Sequence, residues 1–125
     1  MKENILKTKS FDFAVLILRL SNNIKVDHRE FDVSRQLIRS GTAIGAHVRN
    51  AEQAESKKDF IHKLSIALKE ANETLYWLEL LEDAGMLNKN DNTTAASNCE
   101  ELIRLLTASI ITSKSRYMNN QNIKT

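Results

Sequence analysis

Proline is missing from this 125-residue chain, glycine occurs three times and cysteine once. Without proline nothing in the covalent chain forces a helix to stop, and with so few glycines tight β-hairpins are poorly served. A single cysteine, Cys99, excludes an intramolecular disulfide and a thiolate zinc site built from one chain. Long apolar runs are absent as well: no stretch approaches the roughly 20 residues needed to span a bilayer. Met1 to Lys9 has neither the apolar centre nor the small-residue cleavage site of a secretory signal, so the expected location is cytoplasmic. Charge of one sign does not dominate either. A formal charge of +2 is too small to mark a nucleic-acid binder by itself, although residues 1–63 carry 12 basic and 8 acidic side chains (+4) and residues 64–125 carry 6 and 8 (−2).

What is present is apolar periodicity. Hydrophobic residues make up 42% of the chain, enough for one modest core in one domain. Phe13, Ile17, Leu20 and Ile24 predict a first helix over Ser10–Ile24. Phe11, Val15 and Leu18 widen its apolar surface and call for cover on more than one side. A second helix is expected from an Asp32 N-cap to about Glu55, with Val33, Leu37, Ile44, Val48 and Ala51 inward. Gly41 and Gly45 sit in its middle, where each costs about 1 kcal/mol relative to alanine. Close approach of a neighbouring backbone is the simplest compensation. Ser56-Lys57-Lys58-Asp59 has the spacing of a capping box and opens a third helix that ends at Gly85. Its core stripe is Phe60, Leu64, Ala67, Leu68, Ala71, Leu75 and Leu78. Asn90 or Asp91 is expected to cap a fourth helix with Ala95, Cys99, Leu102, Ile103, Leu106, Ile110 and Tyr117 inward. Four amphipathic helices with short connections predict an all-α, antiparallel up-down-up-down four-helix bundle over residues 1–118, with 119–125 a polar tail expected to fray.

Two features exceed what a single core requires. On the third helix Ile66, Trp77, Leu80 and Leu81 fall roughly 100° or more from the core stripe, with Glu70 and Glu73 among them. An aromatic-aliphatic patch rimmed by carboxylates is expected at a subunit interface; the plainer reading is that Trp77 closes the edge of the bundle. On the second helix no carboxylate lies between Asp32 and Glu52, while Arg35, Arg39 and Arg49 project within roughly 40° of one direction. Lys57 and Lys58 follow. Such a row can contact phosphates of RNA or DNA, or it can be a solvated face, or pair with Glu70 and Glu73 of a neighbouring subunit. No aromatic residues interleave with it, so single-strand stacking is not supported.

Signs of catalysis are weak. Asp59-Phe60-Ile61-His62 has the spacing of half a carboxylate-bridged di-metal motif, but no second half and no further inward carboxylates are found. His62 falls on a polar face, His28 in a loop, and Cys99 in a core stripe where a small thiol is ordinary. No phosphate loop, nucleophile elbow or HExxH occurs. The expectation is a non-enzyme without metal or cofactor.

The run Gln36 to Ala46 (QLIRSGTAIGA), then Ser56 to Ala71 (SKKDFIHKLSIALKEA) and Glu73 to Leu81 (ETLYWLELL), closely resembles the bacterial 23S rRNA intervening-sequence protein family, also called S23 or four-helix bundle proteins. The resemblance spans about Ser10 to Tyr117 and implies a four-helix bundle that assembles as a homopentamer. Some members are encoded within insertions in 23S rRNA genes. A related branch, the accessory protein of diversity-generating retroelements, is a basic pentameric barrel that binds reverse transcriptase and nucleic acid. One departure stands out: where the family follows Ile-Gly-Ala with Asn-x-x-Glu, this chain has His47 and Asn50. Together these features predict a homo-oligomeric scaffold with moderate nucleic-acid affinity, or else a ring devoted to protein contacts alone.

Overall fold

The computed structural model describes the backbone of residues 2–124 and the side chains of residues 5–120. Four helices account for almost all of it: α1 Lys2–His28, α2 Asp32–Glu52, α3 Lys57–Asp83 and α4 Lys89–Lys124. Because the connections are short, consecutive helices run antiparallel. Packing follows the order α1–α2, α2–α3, α3–α4 and α4–α1, so α1 and α3 occupy opposite corners of the bundle. Among the described residues no helix is long and apolar enough to cross a membrane.

The starts of α2, α3 and α4 show which local interactions satisfy their unpaired amides. Asp32 is the first helical residue of α2 and not its cap. Phe31 stands in the cap position with no side-chain bond, and Glu30 Oε1 instead accepts the Val33 amide at 2.6 Å. At α3 the expected cap is present, with Ser56 Oγ accepting from the Asp59 amide at 3.0 Å. The return leg reaches one residue further back, since Asp59 Oδ2 accepts from the Glu55 amide at 3.2 Å. The fourth helix begins earlier than Asn90 or Asp91. Asn88 caps it by accepting from the Asp91 amide at 2.8 Å, while its own amide group donates to Asp91 Oδ2 at 2.9 Å. Gly85 ends α3 at φ +76°, and the bonds Gly85 N–H to Glu82 and Met86 N–H to Leu81 close a Schellman turn.

Helix ends were the least legible feature of the sequence. The first helix is longer than Ser10–Ile24 at both ends, and the second stops at Glu52 instead of Glu55. Helix α4 continues to Lys124, past Met118 and through the polar run 119–122. The residues expected to form a polar tail fall partly outside the described side chains.

The core is the one the periodicity outlines. Phe13, Ile17, Leu37, Ile44, Leu64, Leu78, Leu102 and Leu106 are all buried, with Cys99 among them. Desolvation pushes the Cys99 thiol up to about 12, and its sulfur lies 3.2 Å from the Ala71 carbonyl. The same burial keeps it a packing residue and not a nucleophile. The two α2 glycines face α1. A Cβ at Gly41 would lie 2.8 Å from Ile17 Cγ2, and one at Gly45 would lie 3.3 Å from Ser10 Oγ and 3.4 Å from the Ser10 carbonyl oxygen. Gly45 therefore accommodates a neighbouring backbone, whereas Gly41 accommodates a branched side chain.

Candidate interaction surfaces

Arg39 leaves α2 toward α3 and lies against both carboxylates of its own chain. Its Nη1 donates to Glu70 Oε2 at 3.1 Å and its Nη2 to Glu73 Oε2. Glu73 Oε2 also accepts from the Trp77 indole N–H at 3.0 Å, so one carboxylate joins the guanidinium to the aromatic ring. Just beneath, Thr74 Oγ1 donates to Ser40 Oγ at 2.9 Å, a buried polar link between the same two helices. The indole bond, with the Arg39 bond and charge adding to it, holds the Glu73 carboxyl below its usual range despite partial burial. The guanidinium is held above its usual range, first by the Glu73 bond.

These contacts correct two expectations. Glu70 and Glu73 are not free rims waiting for another subunit, because Arg39 of the same chain occupies them. Nor do the three arginines form one open row. Arg39 turns to α3, Arg35 pairs with Asp32 across 3.5 Å at the start of α2, and Arg49 turns to α1 with its guanidinium carbon 5.6 Å from the Phe11 ring centroid. Lys57 and Lys58 are exposed on the first turn of α3. A helical wheel gives the direction of the Cα–Cβ bonds only; flexible arginine stems carry their heads wherever a partner lies.

The apolar patch of α3 also changes membership. Leu81 is 1% exposed and belongs to the chain's own core, because α3 meets both α2 and α4 and its buried arc is wider than one stripe. Ile66 and Trp77 are half-buried, and Leu80 remains 38% exposed. Tyr76, which the wheel did not single out, is exposed and packs edge-on against Trp77 with centroids 4.9 Å apart. Its signal was its position next to Trp77 and one turn before Leu80. The outward face of this helix is therefore Tyr76, Trp77 and Leu80, flanked by the exposed acids Glu79 and Asp83.

At the opposite corner, α1 carries a second uncovered apolar stripe. Phe11 is 54% and Leu18 50% exposed, with Val15 half-buried between them. Among the described residues, the wide apolar surface read from the sequence is covered on its inner side by α2 and α4, while on its outer side the Arg49 guanidinium lies over Phe11 and leaves that ring and Leu18 about half exposed. Lys25 and Arg49 flank this stripe. His47 is half-buried with Nδ1 enclosed, and Asn50 is exposed. Among the described residues no group of three or more His, Cys, Asp or Glu lies close enough to hold a metal ion.

Tryptophan fluorescence reads the Arg39–Glu73–Trp77 link directly, because Trp77 is the sole tryptophan. A folded carboxyl held below its ordinary value of 4.5 contributes stability above that pH and loses it as pH falls through the lower folded value. The expected acid titration shows an emission change with its midpoint below 4.5, absent in Glu73→Gln. A change of the same midpoint in both proteins would assign it to other carboxylates.

The fold that carries these surfaces is an all-α four-helix bundle with a packed core and two outward apolar faces. Residues 2–108 match the family described as 23S rRNA-intervening sequence protein, and the chain belongs to that family. It is similar over 88% of its length, with 47% identity and a TM-score of 0.86, to the crystal structure of a protein of unknown function from the S23 ribosomal protein family of Bacteroides thetaiotaomicron, 98% of which is covered. Curated proteins gave no match.

Proposed function

We propose that this protein is a non-enzymatic, homo-oligomeric scaffold whose copies join through the outer face of α1 on one copy and the outer face of α3 on the next. The observation that carries this reading is the placement of two different uncovered apolar stripes, Phe11/Val15/Leu18 and Tyr76/Trp77/Leu80, on helices at opposite corners. Two unlike faces on opposite sides of one chain make a head-to-tail contact, which closes into a ring where the rotation between successive copies closes and otherwise runs on as a filament. The basic flank of the α1 face (Lys25 of α1 and Arg49 reaching over from α2) complements the acidic flank of α3 (Glu79, Asp83). Five copies is the number that the family resemblance implies. Light scattering is expected to give a particle several times the 14.2 kDa chain mass, and a monomer at micromolar concentration would remove the proposal.

Phosphate binding is the second reading, favoured by the exposure of Arg35, Arg49, Lys57 and Lys58, which a ring would repeat in every copy. Its signature is RNA or DNA affinity that falls linearly with salt on logarithmic axes. The triple change Arg35→Glu, Lys57→Glu and Lys58→Glu is expected to abolish it and leave assembly intact. Arg39 is left alone, because reversing it would set three carboxylates together. Unchanged low-salt binding in the triple variant would exclude these residues as the contact, and no wild-type binding would leave the protein-contact ring.

A further inference from the structure

The inward stripe of α4 changes chemistry before the bundle ends. Leu102 and Leu106 set the inward direction, and Ser109 and Ser113 recur seven residues after each of them, where the same direction returns. Two core positions are thus filled by small hydroxyl residues, and the space a leucine would occupy is left open. The result is a cavity of about 260 Å³ lined by residues of all four helices. One wall is apolar: Leu6 of α1, Val48 of α2, and Phe60 and Leu64 of α3. The other is α4, with Ser109, Thr112, Ser113 and Arg116 at the i, i+3, i+4 and i+7 spacing of one helix face.

Charge at the mouth is unbalanced. Glu52 is the carboxylate in the lining, and it is taken by Lys7 at 3.3 Å. Arg116 makes no ion pair among the described residues, and neither does Lys57, which lines the groove continuing outward from the mouth. We infer that this end of the bundle is a binding site for a small monocarboxylic acid with an aromatic or branched apolar body. The body lies on Val48, Phe60 and Leu64, and the carboxylate meets the Arg116 guanidinium and the α4 hydroxyls. Size agrees with the assignment. A cavity of about 150 Å³ takes one benzene ring, and the volume here adds room for a short carboxylate arm. An apolar wall facing a polar one suits a ligand with an apolar body and one charged end, whose orientation the polar groups fix. Every lining residue of the site comes from one chain.

The test uses 3-phenylpropionate and its neutral counterpart 3-phenylpropan-1-ol as probes, titrated into the full chain and followed by amide chemical shifts. Saturable shifts confined to residues 48–52, 60–64 and 109–116 are expected, with the acid about tenfold tighter than the alcohol, the size of a charge-assisted bond. Arg116→Gln is expected to bring the acid down to the alcohol's affinity without changing the alcohol. Ser113→Leu fills the cavity and is expected to abolish both and to raise the melting temperature. Equal affinity of acid and alcohol for the wild type overturns the anion assignment. Absence of saturable shifts, shifts elsewhere, or shifts that track protein concentration instead of probe overturn the site. Should Ser113→Leu fail to fold, the Arg116→Gln comparison decides alone, since Arg116 is exposed and outside the core.

Discussion

Gly41→Leu is expected to cost about 3 kcal/mol, the upper end of what overpacking a core contact does, and to lower the melting temperature by roughly 10 °C for a chain of this size. The reason is the identity of the obstructing atoms. A Cβ at Gly41 meets Ile17 at Cγ2, Cγ1 and Cβ, at 2.8, 3.0 and 3.2 Å. Ile17 is fully buried and β-branched, so it has no free rotamer into which to withdraw. Even Gly41→Ala is expected to destabilise, although alanine is the better helix former by about 1 kcal/mol. Gly45→Ala is the control. Its nearest neighbours stand at 3.3 and 3.4 Å, so a small adjustment suffices and helix propensity offsets it. Thermal denaturation of both variants checks the contrast, and combining Gly41→Ala with Ile17→Ala is expected to cost less than the sum of the single changes. Equal melting temperatures for Gly41→Ala and Gly45→Ala would show that the α1–α2 spacing adjusts freely.

Leu18→Glu and Leu80→Glu are each expected to reduce the assembly to single chains. Both positions are at least a third exposed in the chain itself, so a charge there leaves the fold nearly untouched. Between copies the same charge would be desolvated without a partner, at a cost of several kcal/mol. Mixing the two variants distinguishes the contact type. A head-to-tail contact leaves one intact face on each variant, and the mixture forms a pair of twice the 14.2 kDa chain mass and nothing larger. If α1 instead met α1, Leu18→Glu would dissociate the particle and Leu80→Glu would not. Circular dichroism of each variant establishes that dissociation precedes any loss of helix.

The sequence determined the helices, their order and most of the core, because burial in a bundle imposes a period of about 3.6 residues that apolar side chains must follow. Leu37, Ile44, Leu64, Leu78, Leu102 and Leu106 could all be placed inward from spacing alone. It also determined the α3 cap at Ser56 and the turn at Gly85, since those signals are local. Other boundaries were not legible. Glu30 and Asn88 cap from positions that a search for the nearest serine, threonine or aspartate overlooks, and α1 continues through polar residues that no periodicity marks. What only the tertiary structure decided is how the charged and apolar surplus is spent. The spacing of Arg35, Arg39 and Arg49 says that they share a side of α2, but the ends of their side chains are directed by Asp32, by Glu70 with Glu73, and by Phe11. Likewise the wheel placed Leu81 outside the core stripe, and the position of α3 between two neighbours put it inside. A one-dimensional period fixes the direction of each Cβ; which neighbour stands in that direction depends on contacts between residues far apart in the chain.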